Sequence, residues 1–281
     1  MFLHFTSAAC ILATSFFYIT EPVVDMRESP TEESKVVSQT VFSEKINIEL
    51  EGDYWSYVIT PEGYAGWIPT NTYIECKSPY EPTVKTSRLA SRLYRKPDIE
   101  HGAIATLPYD SKLKIIDASD PRWLKVVLPN GKEAFLQRGD VAVVSVINTK
   151  GDLVGLSKRF LDLPYTWGGR SSFGYDSSGF TQILYAHLGI DLPRDSDQQI
   201  LDPRFRTIEM KDLEAGDLIF FGQSEQSIQH VGMYIGNDQF IHATILENQP
   251  WIRISQLSDF EWSGNPDAYY PYRLARQMIP Q

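Results

Sequence analysis

Part of the chain repeats itself at a spacing of sixty-eight residues, and this repeat limits the folds that the first half can adopt. Seven pairs of identical or similar residues come into register when the sequence is shifted by that distance. They are Arg27 and Arg95, Ile48 and Ile116, Trp55 and Trp123, Val58 and Val126, Pro61 and Pro129, Gly63 and Gly131, and Trp67 and Phe135. A constant offset over several residue types indicates two duplicated units.

Each copy carries the pattern of an antiparallel hairpin. A short alternating run, 55–58 or 123–126, is followed by a Pro-x-Gly turn and by a second run, 64–68 or 133–136. Alternation predicts half-buried strands, and the turn residues predict a reversal of the chain. We therefore expect a hairpin inside a small β-barrel in each copy.

The aromatic residues of the repeat divide into two groups. Trp55, Trp67 and Trp123 are expected to pack in the cores of the two units, because large aromatic side chains gain most from burial. Tyr64 lies beside the turn, where side chains are more exposed and where binding residues are common. It is a candidate substrate contact.

The second half contains a helix with a defined beginning and end. Asp176 is a good N-cap, which makes Ser177 the first helical residue, and Gly189 is a C-terminal stop. One face of the helix is formed by Phe180, Ile183, Leu184, His187 and Leu188. The first turn carries free N–H groups and a partial positive charge, which would lower the pKa of a thiol. A serine hydroxyl gains much less, because its proton is held far more tightly.

The surrounding pattern predicts an α+β arrangement. Residues 152–161 read as a helix, and the runs 217–221, 231–235 and 239–243 read as strands. His230 and His242 fall on two of these strands, and adjacent antiparallel strands could hold them side by side.

Five segments of the second half resemble the signature of the NlpC-like cell-wall cysteine peptidases, which are relatives of papain. The segments are Tyr165 to Gly169, Asp176 to Phe180, Leu192 to Gln198, His230 to Tyr234, and His242 with Ala243. Every element is present in order apart from the nucleophilic cysteine, whose place is taken by Ser177. The resemblance implies a papain-like catalytic domain in which a helix N-terminus faces histidines on a sheet.

The resemblance also implies a role for each site residue. Ser177 replaces the nucleophilic cysteine, His230 is the general base, and His242 orients it. Tyr165 and the backbone N–H of Ser177 would stabilise the oxyanion. His101 and His187 match no motif and are expected to be structural or surface residues. The family needs no cofactor and no metal.

Four more positions match those that line the substrate site in this family: Asp176, Ser178, Asp195 and Ser196. Asp195 with Ser196 could hold a free amino terminus through a charge-assisted hydrogen bond. The alternatives are a purely local N-cap for Asp176 and a local turn for Asp195 and Ser196, and both roles can coexist.

The repeated units resemble bacterial SH3-like domains, on the evidence of residues 23–27 and 64–67. Such domains often accompany NlpC-like catalytic domains and shape the substrate cleft. The predicted organisation is an N-terminal arm with a first SH3-like domain over 1–78, a second over 79–146, and the peptidase domain over 147–281.

This resemblance implies a peptidoglycan stem-peptide hydrolase. The leading hypothesis is a γ-D-glutamyl–diamino-acid (meso-diaminopimelate) endopeptidase that acts on muropeptides with a free N-terminal L-Ala. Peptidoglycan-derived peptides are the expected partners. A non-catalytic wall-binding protein is one alternative, and an amidase or acyltransferase with the same Cys-His chemistry is another.

Two explanations of Ser177 compete. The chain is either a Cys→Ser variant made to trap an inert form or a natural pseudoenzyme. Because both histidines and the Tyr165 loop are retained, we favour an engineered substitution in a parent peptidase. The chain as written is then expected to be inactive or nearly so.

Composition excludes several other classes. A formal net charge of −10 argues against binding to nucleic acid or to anionic membranes. The two cysteines, Cys10 and Cys76, provide no disulfide framework and are expected to be inert. The first nineteen residues are apolar, but no Lys or Arg precedes the apolar stretch. We interpret them as an ordered N-terminal arm and expect a cytoplasmic location, with export to the cell envelope as the alternative.

Overall fold

The computed structural model describes residues 15–143 and 149–279. Cys10, most of the predicted N-terminal arm and the predicted boundary near residue 146 lie outside the described residues. The last part of the predicted arm, Phe16–Ile19, is a strand that pairs with two later strands of the first sheet.

The first sheet has seven strands joined in the order β3-β2-β6-β5-β4-β1-β7. They are β1 (Phe16–Ile19), β2 (Val23–Arg27), β3 (Val36–Val41), β4 (Lys45–Glu51), β5 (Trp55–Ile59), β6 (Ala65–Pro69) and β7 (Tyr73–Cys76). A core made of alternate residues lies on one face; it contains Ile19, Val24, Met26, Ile46, Val58 and Ile68.

The second unit has seven shorter strands. They are β8 (Val84–Thr86), β9 (Ala90–Leu93), β10 (Ala105–Pro108), β11 (Lys112–Asp117), β12 (Trp123–Val127), β13 (Glu133–Gln137) and β14 (Val141–Val143). Five of them form a sheet in the order β13-β12-β11-β8-β14, whereas β9 and β10 pair as a separate hairpin.

The strands of the two predicted small barrels form open sheets in the described residues and do not close into a ring. The first sheet ends at β3 and β7, which do not pair with each other, so its hydrogen bonds do not form a ring. In the second unit the β9–β10 hairpin is not part of the main ladder; an isolated bridge between Tyr94 and Phe135 joins it to β13, and its residues Leu93 and Leu107 pack in the same core as the main sheet.

The duplicated hairpins are confirmed, with a correction to the offset. Strands β5 and β6 pair antiparallel, as do β12 and β13. Upstream of the hairpin, however, Ile48 pairs with Val58 whereas Ile115, not Ile116, pairs with Val126. The second copy therefore has one more residue between these strands, which shifts the offset by one.

The tryptophans of the repeat are less uniformly buried than predicted. Trp123 lies in the core, but Trp55 and Trp67 are only half-buried. Trp67 packs on Tyr57, with ring centroids 5.2 Å apart. Trp55 lies at the sheet surface because Ser56 and Val58 take the inward positions of β5, and Trp67 does so because Gly66 and Ile68 take those of β6.

The last unit packs helices on an antiparallel sheet, which confirms an α+β arrangement. The helices are α1 (Lys150–Ser157), α2 (Ser177–Ala186) and α3 (Ser196–Gln199). The strands are β15 (Arg170–Ser171), β16 (Gly174–Tyr175), β17 (Phe205–Ile208), β18 (Leu218–Ser224), β19 (Ser227–Gly236), β20 (Gln239–Thr244), β21 (Trp251–Gln256) and β22 (Tyr272–Met278). Six of these form one sheet in the order β17-β22-β18-β19-β20-β21.

Helix α2 is central to this unit. It packs against β19 and β20, and its residues Phe180, Leu184 and Tyr185 are almost fully buried in the core of this unit. It ends at Ala186, earlier than the apolar pattern predicts, and His187 caps it. Gly189 then adopts a positive φ of 74°, which suits a residue without Cβ. Among the described residues no helix has both the length and the apolar character needed to cross a bilayer.

The hairpin turns give a first testable prediction. Gly131 has a φ of 75°, and a Cβ there would meet open space, so only backbone strain opposes a side chain. We expect Gly131→Ala to lower the free energy of unfolding by about 1–2 kcal/mol. Gly139→Ala is the matched control, because Gly139 has open space around it and no positive φ. Urea denaturation measures the free energy of unfolding of both variants. An equal decrease in the two variants would contradict the role of backbone strain at Gly131.

Candidate active site

The N-terminus of α2 is held in place by two close contacts. The Asp176 carboxylate accepts a hydrogen bond from Gly179 N at 2.7 Å, which confirms the predicted N-cap. A Cβ on Gly179 would lie 2.1 Å from the carbonyl oxygen of Gly169, so the helix presses directly on the preceding loop. Ser177 begins the helix and is 7% exposed.

A buried arginine that was not among the predicted site residues fixes this N-cap. Arg194 is 3% exposed and binds both carboxylate oxygens of Asp176. It also donates to Ser178 Oγ at 2.8 Å and to Ser38 Oγ, on strand β3, at 3.0 Å. One guanidinium thus joins the helix start to the first sheet. In the sequence, the feature that could have identified this arginine is its position between Leu192-Pro193 and Asp195, within one of the family motifs.

The two histidines meet as predicted. His230 on β19 and His242 on β20 lie on adjacent antiparallel strands, and His230 Nε2 is 2.8 Å from His242 Nδ1. Both are almost fully buried. Burial lowers the pKa of His230 to about 3, with a smaller contribution from the charge of Arg253. Burial likewise lowers the pKa of His242. In this protein the pair is neutral at physiological pH.

Aromatic side chains enclose the histidines. Tyr270 stacks on His230 with centroids 5.7 Å apart, and Trp262 meets His242 edge-on at 4.6 Å. Phe240 lies 4.4 Å from His242. These rings keep water away from the histidines and strengthen the hydrogen bond between them.

The arrangement contains the parts of a nucleophile–base–orienter site. Helix α2, which begins at Ser177, packs against both of the strands that carry the histidines. Ser177 Oγ makes no side-chain hydrogen bond to any residue in the described ranges, and catalytic hydrogen bonds are often long before substrate binds. The roles of Ser177, His230 and His242 stay predictions.

Tyr165 is half-buried next to this site. Its backbone N–H donates to Pro250 O at 2.8 Å. Burial, aided by the charge of Asp176, raises the pKa of Tyr165 to about 12. The phenol therefore keeps its proton at neutral pH and is able to donate it in a hydrogen bond. Its predicted role at the oxyanion requires that donor form.

Tyr64 and Asp195 come together from different units. Tyr64 was expected to be more exposed, but it is half-buried, with its hydroxyl 3.4 Å from Val37 O. It also lies near Asp195, where its hydroxyl has a small lowering effect on the pKa of that carboxyl. Burial outweighs this effect and the opposing charge of Arg194, so the pKa of Asp195 is raised overall.

The neighbouring predicted residues share this location. Asp195 is the N-cap residue of α3 without a side-chain cap bond, and Ser196 is its first residue, 9% exposed. The carboxylate of Asp195 is therefore not used by its own helix. Burial, with a smaller effect from Asp195, raises the pKa of Tyr64 to about 12, so Tyr64 acts as a donor at neutral pH. The pair can receive a ligand with N–H groups.

The loop that carries Tyr165 is anchored on the first sheet. Trp167 Nε1 donates to Val36 O at 3.0 Å, and Lys35 lies over the Trp167 ring. Gly168 has a φ of 75°, and a Cβ there would lie 2.9 Å from Val36 Cγ1. The loop can approach β3 this closely only because residue 168 is glycine.

Arg170 completes the anchor. Its guanidinium donates to Gln39 O at 2.7 Å and pairs with Glu44 at 3.1 Å and with Glu62 at 3.0 Å. All three charged side chains are largely buried. The positive charge of one arginine thus partly compensates the negative charges of two carboxylates, at the junction of the first sheet and the loop that carries Tyr165.

Metal ligands are not grouped in the part of the chain that the structure describes. Over residues 15–143 and 149–279, no cluster of three or more His, Cys, Asp or Glu side chains could hold a metal ion.

Removal of Arg170 is expected to weaken this junction in a pH-dependent way. Arg170→Ala leaves two buried carboxylates unpaired and should lower the free energy of unfolding by about 3–5 kcal/mol. Burial already raises the pKa of Glu44, so stability falls as the pH rises through that raised pKa. The loss should be larger at pH 7 than at pH 5.

Urea denaturation at the two pH values tests this expectation. Arg88→Ala is the control, because Arg88 is exposed and, within residues 15–143 and 149–279, its side chain hydrogen-bonds only to Gly139 O. If Arg170→Ala lowers the free energy of unfolding by the same amount at both pH values, the role of the two glutamates is contradicted.

Comparisons with known proteins agree with this geometry. Residues 162–265 match the profile of the NlpC/P60 family. The chain is 33% identical to a γ-D-glutamyl-L-lysine dipeptidyl-peptidase of Bacillus cereus, over 89% of this chain and 77% of that protein. It is 31% identical to a protein of the same name from Bacillus subtilis, over 74% of this chain and 72% of the relative.

Solved structures show the same fold. A crystal structure of an NlpC/P60 family protein from Bacillus cereus superposes with a TM-score of 0.80 at 24% identity, and covers 94% of this chain and 100% of that chain. The shared fold extends over the β units as well as the last unit. The sequence resemblance is thereby confirmed at the level of the family, and the chain belongs to the NlpC/P60 family.

Proposed function

We propose that this protein, with a cysteine at position 177, hydrolyses the bond between D-Glu and the diamino acid in peptidoglycan stem peptides. The observation that carries the proposal is the buried His230–His242 pair on the two strands against which α2 packs. Relatives named γ-D-glutamyl-L-lysine dipeptidyl-peptidase, aligned over most of the chain, support the substrate class.

The chemistry follows that of a cysteine peptidase. The thiol at 177 gives its proton to His230, and the thiolate attacks the γ-carbonyl carbon of D-Glu. The oxyanion of the tetrahedral intermediate accepts hydrogen bonds from the N–H of residue 177 and from Tyr165. The C–N bond breaks as His230 returns the proton to the leaving amine, and water then hydrolyses the thioester.

A free amino terminus is the second element of the proposal. A dipeptidyl-peptidase measures two residues from the N-terminus, so it needs a group that recognises the terminal ammonium. Asp195 supplies a carboxylate that its own helix does not use, and Tyr64 of the first unit lies near it. Both residues stand near Asp176 and Arg194, at the helix that bears residue 177. The substrate would carry N-terminal L-Ala.

The two β units are proposed to be SH3-like modules that close one end of the cleft. Their duplicated hairpins and the contacts of β3 with Trp167 and Arg194 support this role. We retain the proposed domain limits of 1–78, 79–146 and 147–281. A cytoplasmic role on released muropeptides suits a site that requires a free amine.

Two other functions differ in their products. A wall-binding pseudoenzyme would bind fragments without cleavage even after a thiol is introduced at position 177, and the serine now at 177 is the observation that favours it. An amidase would release an intact peptide from the sugar. Mass spectrometry of the products distinguishes all three.

Restoring the thiol is the direct test. Ser177→Cys should hydrolyse L-Ala-γ-D-Glu-diamino-acid peptides, whereas the serine protein should be slower by several orders of magnitude, because its hydroxyl is not ionised at the working pH. Ser177→Ala serves as the blank. If Ser177→Cys binds the peptides and leaves them intact, the hydrolase proposal fails.

The amine site gives a separate expectation. In the Ser177→Cys protein, Asp195→Asn should lower kcat/KM for a free-amine substrate by about 10- to 100-fold, because a charge-assisted bond is lost. For an N-acetylated substrate, kcat/KM should be low with or without Asp195→Asn, and the two values should be nearly equal. For the free amine, KM should rise as the pH falls through the raised pKa of Asp195. Equal losses on both substrates would contradict amine recognition.

A further inference from the structure

The hydrogen bonds of the histidine pair continue beyond His242. His242 Nε2 lies 3.0 Å from Ser255 Oγ, and Arg253 Nη1 donates to the same oxygen at 2.9 Å. Arg253 is itself held by Glu247, at 2.9 Å. Ser255 is 4% exposed, so these contacts are made away from water.

Strand register explains why these side chains meet. His242 on β20 pairs directly with Arg253 on β21, and Phe240 pairs with Ser255. Residues two apart on a strand face the same side, so Arg253 and Ser255 share the face of His242. Ser255 is the diagonal neighbour of His242, a position within reach of an imidazole ring.

Counting protons gives the direction of each bond. A guanidinium only donates, so Ser255 Oγ accepts from Arg253. Among the described residues, the other side-chain partner of this oxygen is His242 Nε2, which is the acceptor available for the hydroxyl proton. His242 then carries its proton on Nδ1 and donates it to His230 Nε2. The proton of neutral His230 is left on Nδ1, the nitrogen turned away from His242.

We propose that Ser255, held by Arg253, is a positioning residue that sets the direction of the hydrogen bonds in the histidine pair. In the resting Ser177 protein, His230 is a hydrogen-bond donor through Nδ1. When His230 takes a proton from the nucleophile, it must donate through Nε2, so His242 must hold its proton on Nε2. Ser255 then accepts from both His242 and Arg253. A hydroxyl can fill both roles because it donates and accepts.

Histidine ¹⁵N NMR of the Ser177 protein at pH 7 tests the resting direction. The expected spectrum has protonated Nδ1 in both His230 and His242. Ser255→Ala should shift the ring nitrogens of His242 and His230 away from that tautomer, and Ser255→Thr should keep it. His101 and His187 are internal controls, and Ser258→Ala, an exposed serine three residues away, is the matched variant. A His242 protonated on Nε2, or a spectrum unchanged in Ser255→Ala, overturns the proposal.

Kinetics in the Ser177→Cys protein test the reversed hydrogen-bond direction, in which His242 donates through Nε2 to Ser255. This part alone rests on the proposed function. Ser255→Ala should lower kcat by about 10- to 100-fold with little change in KM, because the N–H of His242 is left buried without an acceptor. Ser255→Thr should restore most of kcat. A normal kcat in Ser255→Ala overturns the proposal. If Ser177→Cys itself is inactive, the proposed function fails, while the NMR spectra still decide the role of Ser255.

Discussion

The contact on which the site depends is the buried pairing of Arg194 with Asp176. It satisfies the carboxylate that caps α2, and the same guanidinium binds Ser38 in the first sheet. A buried charge without its partner costs several kcal/mol, so neither residue can move alone. The orientation of the helix that bears residue 177 is thereby tied to a sheet more than a hundred residues earlier in the chain.

Burial has a second consequence on the opposite side of the site. The rings of Phe240, Trp262 and Tyr270 surround the histidines, and burial keeps both imidazoles neutral. A neutral pair has one proton on each ring, so the direction of each hydrogen bond becomes a structural property. A negative charge on a thiolate at 177 would favour the imidazolium form that burial opposes. The chemistry thus needs both the helix and the dry environment.

Much of this could be predicted from sequence, because the signals were local. The N-cap at Asp176, the start of α2 at Ser177 and the strands of His230 and His242 are each determined by residues a few positions apart. The small barrels are open sheets, and the register predicted for Ile116 was wrong, since strand closure and a one-residue insertion depend on pairing between distant strands. Arg194 was not predicted as a site residue, because its partners become visible only when the chain is folded.

The sequence by itself determined the family, the duplicated hairpins and the residue types of the site, because periodicity, capping and motif order are written in neighbouring positions. Only the tertiary structure decided how these parts act together: that Tyr64 lies near Asp195, that Arg170 joins two glutamates to the Tyr165 loop, and that Ser255 lies behind His242. The physical reason is that each of these contacts joins residues on separate elements, and the packing of those elements alone fixes the distances over which hydrogen bonds form.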